Sequence, residues 1–240
     1  MFITIEGAEG SGKTTMAKYL VEQLNNLGFD AIYTREPGGT EYAEQVRTSL
    51  FETKDLCPDA QLLALFSARL HHVKTHILPA LEAGKVVVCD RFVDTTYAYQ
   101  VKSEGASEYL FKALEDNLKG VVEPKLTLLF DAPFSEAKSR LGARKANNAY
   151  NLKFAKDEDR HWAIRGALLD RMTLDFDRIA YVDASKSMRR VKREVRKWAR
   201  SIEKSLKRQE GEETIMSLLD VFSATNLKTV FAKQVRKSNV

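Results

Sequence analysis

One segment near the start of the chain restricts the possible folds more than any other. Residues 7–14 read Gly-Ala-Glu-Gly-Ser-Gly-Lys-Thr, which fits the pattern G-x-x-x-x-G-K-[ST]. A short apolar run precedes this segment, and a pattern typical of an amphipathic helix follows it. Because a chance glycine-rich turn rarely has these neighbours, the segment predicts a strand–loop–helix unit whose loop holds phosphate groups.

Short apolar runs alternate with longer helical patterns along the rest of the chain. Runs with few polar residues predict strands that are covered on both faces of a sheet. These runs are residues 2–5, 31–34, 86–89, 126–130 and 179–182. The alternation predicts the α/β class, as a three-layer P-loop NTPase fold in which a five-stranded parallel sheet has helices on both faces.

Two of the helical patterns have features that affect the interpretation. The pattern from Leu62 to Gly84 contains Pro79, which predicts a kink or an early end. Residues 186–208 carry 11 basic and 2 acidic side chains, although the whole chain has a net charge of only +5. Such a run is either a solvated helix face or a surface for nucleic acid. Apolar residues at spacings of three and four within it favour the helix face.

The chemistry of the phosphate loop follows from its residue types. Its backbone amides and the following helix N-terminus face the phosphates, Lys13 reaches the β- and γ-phosphates, and the Thr14 hydroxyl is a ligand for Mg²⁺ that accompanies ATP. The predicted ATP site comprises Gly7, Ala8, Glu9, Gly10, Ser11, Gly12, Lys13, Thr14 and Thr15. The loop alone does not distinguish an ATPase, a GTPase and a kinase, and the chain has no convincing guanine-reading N-K-x-D segment.

Three further segments stand where a second ligand is expected. Residues 34–40 read T-R-E-P-G-G-T after the second strand, Ala68-Arg69 lies within the long helix, and Asp90-Arg91 follows the third strand, with A-Y-Q at residues 98–100. With the phosphate loop, these segments closely resemble the bacterial form of the thymidylate kinases. The resemblance covers residues 1–135 well and residues 136–200 loosely. It implies a nucleoside-monophosphate kinase that transfers a phosphoryl group from ATP to dTMP.

The charges in these segments suit that chemistry. A kinase holds two polyanions close together, so fixed cations must lie between them. Arg91 is therefore predicted to bridge the acceptor phosphate and the γ-phosphate of ATP. Asp90 is predicted to be a carboxylate associated with Mg²⁺. The alternative for Asp90 is a helix N-cap or an ion pair with Arg91.

The resemblance implies individual roles in the acceptor site. Arg69 would hydrogen-bond the O4 edge of thymine, unless it forms a surface ion pair, and Thr96 would contact the N3 edge. Tyr99 would block a ribose 2′-OH, unless it is a core aromatic residue. Glu9 would lie near the acceptor 3′-OH. The predicted acceptor site comprises Glu9, Arg35, Pro37, Leu65, Phe66, Arg69, Arg91, Thr95, Thr96, Tyr99 and Gln100.

The chain departs from the family pattern at the thymine-stacking position and in the lid, and the role of Arg35 has two alternatives. The family stacks a Phe on thymine where this chain has Leu65, and Phe66 is one residue, or about 100° of helix rotation, away. Arg35 either organises the loop around Pro37 or touches the acceptor phosphate. The lid lacks the family's D-R-I-E run. Because the phosphate loop has Glu9 where other members place a basic residue, the resemblance implies a transition-state cation from the lid, with Arg144 as the first candidate and Arg140 as the second.

Composition and organisation set the remaining expectations. We expect one kinase domain at residues 1–208, with a lid at about 138–158, and an extension of unassigned role at residues 209–240. Cys57 and Cys89 fit neither a metal spacing nor a disulfide framework, and no apolar run would cross a bilayer. These features predict a cytoplasmic protein without a membrane or nucleic-acid partner, and the resemblance implies a homodimer.

Three functions remain compatible with the sequence. The first is a dTMP kinase. The second is a broader deoxynucleoside-monophosphate kinase on the same scaffold, suggested by Leu65. The third is a P-loop protein that binds nucleic acid through the basic helix, which would hydrolyse ATP in response to DNA.

Overall fold

The computed structural model of the chain describes residues 1–143 and 157–209. Within them, five parallel strands form one sheet in the order β2-β3-β1-β4-β5. The strands are β1 (Phe2–Glu6), β2 (Ala31–Arg35), β3 (Val86–Asp90), β4 (Leu126–Asp131) and β5 (Ile179–Asp183). The predicted α/β class with a five-stranded parallel sheet is confirmed.

Every strand is one residue longer than its apolar run predicted. The additional residue is charged in each case, and the five are Glu6, Arg35, Asp90, Asp131 and Asp183. An apolar pattern cannot detect these positions because their side chains are ionisable. Since the strands are parallel, the five charges lie along one edge of the sheet, which is the edge where α/β proteins bind ligands.

Helices cover both faces of the sheet. They are α1 (Lys13–Asn26), α2 (Glu41–Glu52), α3 (Pro58–His72), α4 (Leu78–Glu82), α5 (Val93–Thr96), α6 (Glu108–Lys119), α7 (Phe134–Ala143), α8 (Glu158–Leu174) and α9 (Met188–Gln209). A π-helical turn, Val73–Ile77, joins α3 to α4 and ends two residues before Pro79, which lies in α4. A second π-helical turn, Tyr97–Ser103, continues α5. The predicted irregularity near Pro79 is therefore a π-helical turn rather than an early end.

The alternation of side chains along β1 separates the two layers of the core. Ile3 and Ile5 pack with α1 and α9 on one face, where Trp198 is the largest fully buried side chain. Phe2 faces the other way, into a cluster that α3 and α6 complete. A smaller cluster joins α8 to the phosphate loop through Ala8. The sheet is thus covered on both sides, and its ligand-binding edge remains accessible.

The basic helix is the amphipathic element that its spacing predicted. Val191, Val195, Trp198 and Ile202 of α9 are buried, whereas most of its basic side chains are exposed or half-buried. Most of the predicted lid, and all but one residue of the predicted extension at 209–240, lie outside the described residues. Among the helices that the structure describes, none is long and apolar enough to cross a membrane.

Candidate active site

The phosphate loop is shaped by close contact with its neighbours. Gly10 has a φ of 77°, and a Cβ at this position would lie 2.5 Å from the carbonyl oxygen of Ala137 in α7. The loop then enters α1 through Gly12, which offers no side-chain cap to the first helical N–H groups. Those amides are therefore available to an anion, as the motif predicted.

Lys13, the first residue of α1, folds back against the loop and is 4% exposed. Its Nζ donates to the carbonyl oxygen of Ala8 at 3.2 Å and is 3.9 Å from a carboxylate oxygen of Glu9. Burial, with a smaller contribution from the positive charge of Arg91, lowers the pKa of Lys13 to about 8. Phosphate groups beside Lys13 would add negative charge that favours its protonated form.

Thr14 and Asp90 form a pair that suits a hydrated magnesium ion. The Thr14 hydroxyl donates to Oδ2 of Asp90 at 2.5 Å, and the Tyr33 hydroxyl lies 3.4 Å from the same oxygen. The other oxygen, Oδ1, is buried and has no hydrogen-bond partner among the described residues. A buried carboxylate oxygen without a donor is costly unless a ligand completes it. A hydroxyl beside a carboxylate is also the oxygen donor set that Mg²⁺ prefers.

Arg91 connects the loop to the neighbouring cavity. It has a φ of 73°, which is unusual for a residue with a side chain, and this turn sends the guanidinium back towards the phosphate loop. There it forms an ion pair with Glu9, and it lies 5.1 Å from the ring centroid of Tyr99. Although burial alone lowers the pKa of Arg91, the Glu9 carboxylate raises it above the usual range. Arg91 is therefore a fixed cation between the two sites.

A cavity of about 510 Å³ opens beside Arg91 and is large enough for a nucleotide. Its lining comprises Glu9, Glu36, Pro37, Arg47, Leu50, Phe51, Thr53, Lys54, Asp55, Gln61, Leu65, Arg69, Arg91, Phe92, Thr95, Thr96, Tyr99, Gln100, Glu104 and Arg160. Nine of the eleven residues predicted for the acceptor site are among them, and Arg35 and Phe66 are not. Segments that are far apart in sequence thus meet where the resemblance implied.

Arg69 is fixed on two sides and has one nitrogen available. Its Nε donates to a carboxylate oxygen of Glu36 at 2.5 Å, and its Nη2 donates to the Thr96 hydroxyl at 2.8 Å. Nη1 is buried and has no hydrogen-bond partner in the part of the chain that the structure describes. Arg69 is only 3% exposed, so the alternative of a surface ion pair is wrong.

Leu65 and Phe66 have different surroundings. Leu65 lines the cavity, whereas Phe66 packs edge-on against Phe111 in the core, with ring centroids 5.8 Å apart. The guanidinium carbon of Arg69 lies 4.8 Å from the Phe66 ring centroid, so Phe66 supports Arg69 from behind. Consecutive residues of an α-helix are about 100° apart around its axis, so Leu65 and Phe66 point to different sides of α3.

Arg35 pairs with a loop-side carboxylate and does not line the cavity. Its Nη2 donates to both carboxylate oxygens of Glu44, at 2.9 and 3.0 Å, and the pair is nearly half exposed. Arg47 instead lines the cavity, and its Nη1 donates to the carbonyl oxygen of Pro37 at 3.0 Å. Burial lowers the pKa of Arg47, and the positive charges of Arg35 and Arg91 lower it further.

Several charged residues of the cavity were not predicted from the sequence. Glu36 stands inside the T-R-E-P-G-G-T motif, so the motif could have identified it. Arg47 occupies an ordinary helical position, and no local pattern distinguishes it. Glu104 and Arg160 form an ion pair at the cavity, although they are 56 residues apart. Only the packing of α8 against the turn after α5 brings this pair together.

The structure describes one of the two lid candidates. Arg140 donates to the carbonyl oxygen of Ser11 at 3.4 Å and to that of Ala184 at 2.7 Å. It therefore connects the phosphate loop to the turn after β5 through backbone contacts. Arg144 lies outside the described residues, and its catalytic role stays a prediction.

Comparison with known proteins agrees with this geometry. The family model described as Thymidylate kinase matches residues 5–195. A thymidylate kinase of Pseudomonas fluorescens strain Pf0-1 is 41% identical over 193 residues, which cover 80% of this chain and 90% of that protein. A thymidylate kinase of Pseudomonas putida strain W619 is 40% identical over 198 residues, which cover 81% and 94%.

A solved structure supports the same assignment. The crystal structure of thymidylate kinase from Ehrlichia chaffeensis superposes on this chain with a TM-score of 0.65 and is 30% identical in sequence. The superposed region covers 82% of this chain and 97% of the Ehrlichia chain. The family-model match, residues 5–195, includes the phosphate loop and the segments that line the cavity. This chain belongs to the thymidylate kinase family.

Proposed function

We propose that the chain catalyses ATP-dependent phosphorylation of dTMP to dTDP, with ATP on the phosphate loop and dTMP in the neighbouring cavity. The observation that carries this proposal is the position of Arg91. Its guanidinium pairs with Glu9 of the phosphate loop and also lines the cavity. A cation shared by two anion sites is what direct transfer between two phosphates requires.

The donor site uses mostly the backbone of residues 7–15. Amides of the loop hold the phosphates of ATP, and Lys13 reaches the β- and γ-phosphates. Thr14 and Asp90 would hold Mg²⁺, directly or through its water molecules, and Oδ1 of Asp90 is the oxygen left for it. When bound, Mg²⁺ would neutralise charge on the β- and γ-phosphate oxygens and fix their orientation.

The acceptor site uses side chains. Arg91 and Arg47 line the same cavity and supply two cations for the acceptor phosphate. Nη1 of Arg69 supplies a donor for O4 of thymine, and Leu65 supplies an apolar surface for the ring. Tyr99 lines the cavity, and its ring is proposed to exclude a hydroxyl on the 2′ carbon.

The transfer itself is a direct in-line displacement. An oxygen of the dTMP phosphate attacks the γ-phosphorus, the bond from that phosphorus to the β,γ-bridging oxygen breaks, and ADP leaves with the electron pair. No covalent enzyme intermediate is needed, so the chain acts by positioning both nucleotides and by neutralising charge. Lys13 and Arg91 contribute fixed positive charge, and Arg144 remains the lid candidate for a third.

A coupled ADP-release assay across nucleoside monophosphates tests the proposal. ADP should appear with dTMP and should remain near background with ATP alone. DNA should have no effect. ATP hydrolysis that requires DNA, with no response to dTMP, would instead support the nucleic-acid-binding alternative.

One observation favours a second candidate, a kinase with a broader range of deoxynucleoside monophosphates. Leu65 faces the cavity, and an aliphatic side chain contacts a base less selectively than a stacked aromatic ring does. The same assay decides, because comparable kcat/KM values for dTMP and dGMP would refute selectivity for thymidylate.

We also propose a homodimer, formed through helices. Leu63 and Leu70 of α3 are 49% and 36% exposed and are seven residues apart, so they share one side of the helix. Light scattering after size exclusion measures the mass directly, and a monomer at micromolar concentration would contradict this proposal. A cytoplasmic location stays a prediction, supported by two free cysteines, Cys57 and Cys89.

A further inference from the structure

A buried polar chain runs behind the base side of the cavity. His72 has no exposed surface, and its Nε2 lies 2.7 Å from the Thr34 hydroxyl oxygen while its Nδ1 lies 3.0 Å from a carboxylate oxygen of Glu36. A carboxylate only accepts, so we assign the ring proton to Nδ1. Nε2 pairs with the Thr34 hydroxyl, so both ring nitrogens have a hydrogen-bond partner.

The chain continues from Glu36 to Arg69. The second carboxylate oxygen of Glu36 accepts from Nε of Arg69, and both side chains are 3% exposed. Nη2 of Arg69 is held by Thr96, which leaves Nη1 as its one nitrogen without a partner in the described residues. The orientation of Nη1 therefore depends on Glu36, and that of Glu36 depends on His72.

The packing around the ring leaves little space for another arrangement. A Cβ on Gly39 would lie 2.5 Å from Nε2 of His72 and 2.6 Å from the Thr34 hydroxyl oxygen. The loop that carries Glu36 thus closes directly over the His72–Thr34 hydrogen bond. Because the site is close-packed, the ring holds its position and the carboxylate cannot turn freely.

The same residues do not favour a metal site. The donor atoms of Glu36, His72 and Cys89 lie within 4.8 Å of one another. However, the Glu36 and His72 atoms are already hydrogen-bonded to each other, and burial raises the pKa of the Cys89 thiol. A metal would have to break these bonds and take a proton from a buried thiol.

We propose that His72 is a positioning residue for base selection, which acts through Glu36 to hold Nη1 of Arg69 where the acceptor base presents its 4-position. The inference rests on the proposed function, since it assumes that a nucleotide base occupies the cavity. Guanidinium nitrogens only donate, so this arrangement accepts a carbonyl oxygen at the 4-position and rejects an amino group. His72 therefore contributes to the preference for dTMP over dCMP without contacting either nucleotide.

Replacing the ring tests this role. His72→Leu removes the donor to Glu36, whereas the amide nitrogen of His72→Asn can replace Nδ1. We expect His72→Leu to raise the KM for dTMP about tenfold, with kcat and the KM for ATP within about threefold. Its preference for dTMP over dCMP in kcat/KM should fall, and His72→Asn should restore much of both. His71→Leu, a change at an exposed neighbour on α3, is the matched control and should change neither.

A double-mutant cycle separates positioning from general support of the fold. If His72 acts through Arg69, His72→Leu should add little to the effect of Arg69→Ala on the KM for dTMP. Additive effects, or equal losses in kcat and in both KM values, would overturn the proposal. If His72→Leu does not fold, Thr34→Val frees Nε2 instead and should produce a smaller change of the same kind, and an unchanged KM there would also overturn it. Absence of dTMP kinase activity in the unsubstituted protein would refute the proposed function rather than this inference.

Discussion

The proposed donor and acceptor sites are built in different ways, although Arg91 contacts the first and lines the second. The proposed donor site is one continuous segment, residues 7–15, in which a loop shaped by glycines leads into the first turn of α1 and presents backbone amides. The acceptor cavity is assembled from side chains of several elements, from Glu9 to Arg160, and they hold one another in place. A continuous backbone site needs few particular side chains, whereas the cavity depends on a network of ion pairs and hydrogen bonds.

This difference predicts how the two sites respond to substitution. In the donor site, removal of the one essential cation should stop catalysis without harming the fold. In the cavity, each substitution should change the KM for the acceptor or the stability of the protein, according to the hydrogen bonds and ion pairs that the replaced side chain makes.

The largest effect is expected at Lys13. Lys13→Met should lower kcat/KM by on the order of 10³-fold or more, because the β- and γ-phosphates lose their cation. The unliganded protein should become more stable by about 1–3 kcal/mol at pH 7. The pKa of Lys13 is about 8 in the folded state, below its ordinary value of 10.5. The charged side chain therefore lowers the free energy of unfolding by the full amount below pH 8, and this loss decreases as pH rises from 8 to 10.5. Steady-state kinetics and urea unfolding measure both effects.

Lys18→Met is the matched control, since Lys18 lies on the exposed side of the same helix. It should change activity less than about twofold. If Lys13→Met kept its activity or unfolded at lower urea, the view of Lys13 as a strained cation awaiting phosphate would be wrong.

The next effect is expected at Arg91, where the two sites meet. Arg91→Lys keeps a positive charge but loses the planar fork that can reach Glu9 and two phosphates together. We expect kcat to fall by on the order of 10²-fold, with the KM values for both ATP and dTMP raised. A change confined to one KM would contradict the bridging position. Isothermal titration with each nucleotide alone would identify the affected site.

A smaller effect distinguishes the cavity from the loop beside it. Arg69→Ala should raise the KM for dTMP about tenfold or more, because a charge-assisted hydrogen bond is lost, and should change kcat little. Arg35→Ala removes an arginine from the same region but outside the cavity. Since Arg35 contacts the half-exposed Glu44, its replacement should change the KM less than about threefold. Equal effects of the two substitutions would contradict this distinction.

The smallest effect is on stability and concerns Glu6, at the end of β1 between the two sites. Burial, reinforced by the Asp94 carboxylate, raises the pKa of Glu6 from 4.5 to about 7. The folded state favours protonated Glu6. Its contribution to the free energy of unfolding is therefore complete below pH 4.5 and is lost as pH rises to about 7. The free energy of unfolding of Glu6→Gln should therefore rise by about 1–2 kcal/mol relative to that of the unsubstituted protein when pH is raised from 5 to 8. Urea unfolding at both pH values checks this, and parallel curves would contradict it.

The same difference between the sites explains what the sequence could predict. The strand–loop–helix unit around the phosphate loop was predictable because its motif is continuous and its strand and helix are adjacent in sequence. The five-stranded sheet followed from apolar runs, although those runs ended one residue before the charged strand ends. Within the cavity, Arg69 and Arg91 were found through the resemblance, because each belongs to a recognisable motif.

Apart from Glu36, the charged cavity residues that were missed belong to no such motif. Arg47 and Arg160 reach the cavity only because α2 and α8 pack beside it, and helical periodicity does not report which side of a helix faces a ligand. The sequence shows Leu65 at the position where the family has a Phe, with Phe66 one residue later. The outcome, with Leu65 in the cavity and Phe66 in the core, depended on the rotation of α3. Tertiary packing therefore determines which helical residues reach the cavity, and a motif that is continuous in sequence does not report this.

The most direct test of the account is a crystal structure with ADP, Mg²⁺ and dTMP. We predict ADP on residues 7–15, the acceptor phosphate on Arg91 and Arg47, and the thymine O4 within hydrogen-bonding distance of Nη1 of Arg69. Thymidylate bound elsewhere, or a cavity closed by protein side chains with no room for a pyrimidine, would contradict the claim that Arg91 joins two nucleotide sites.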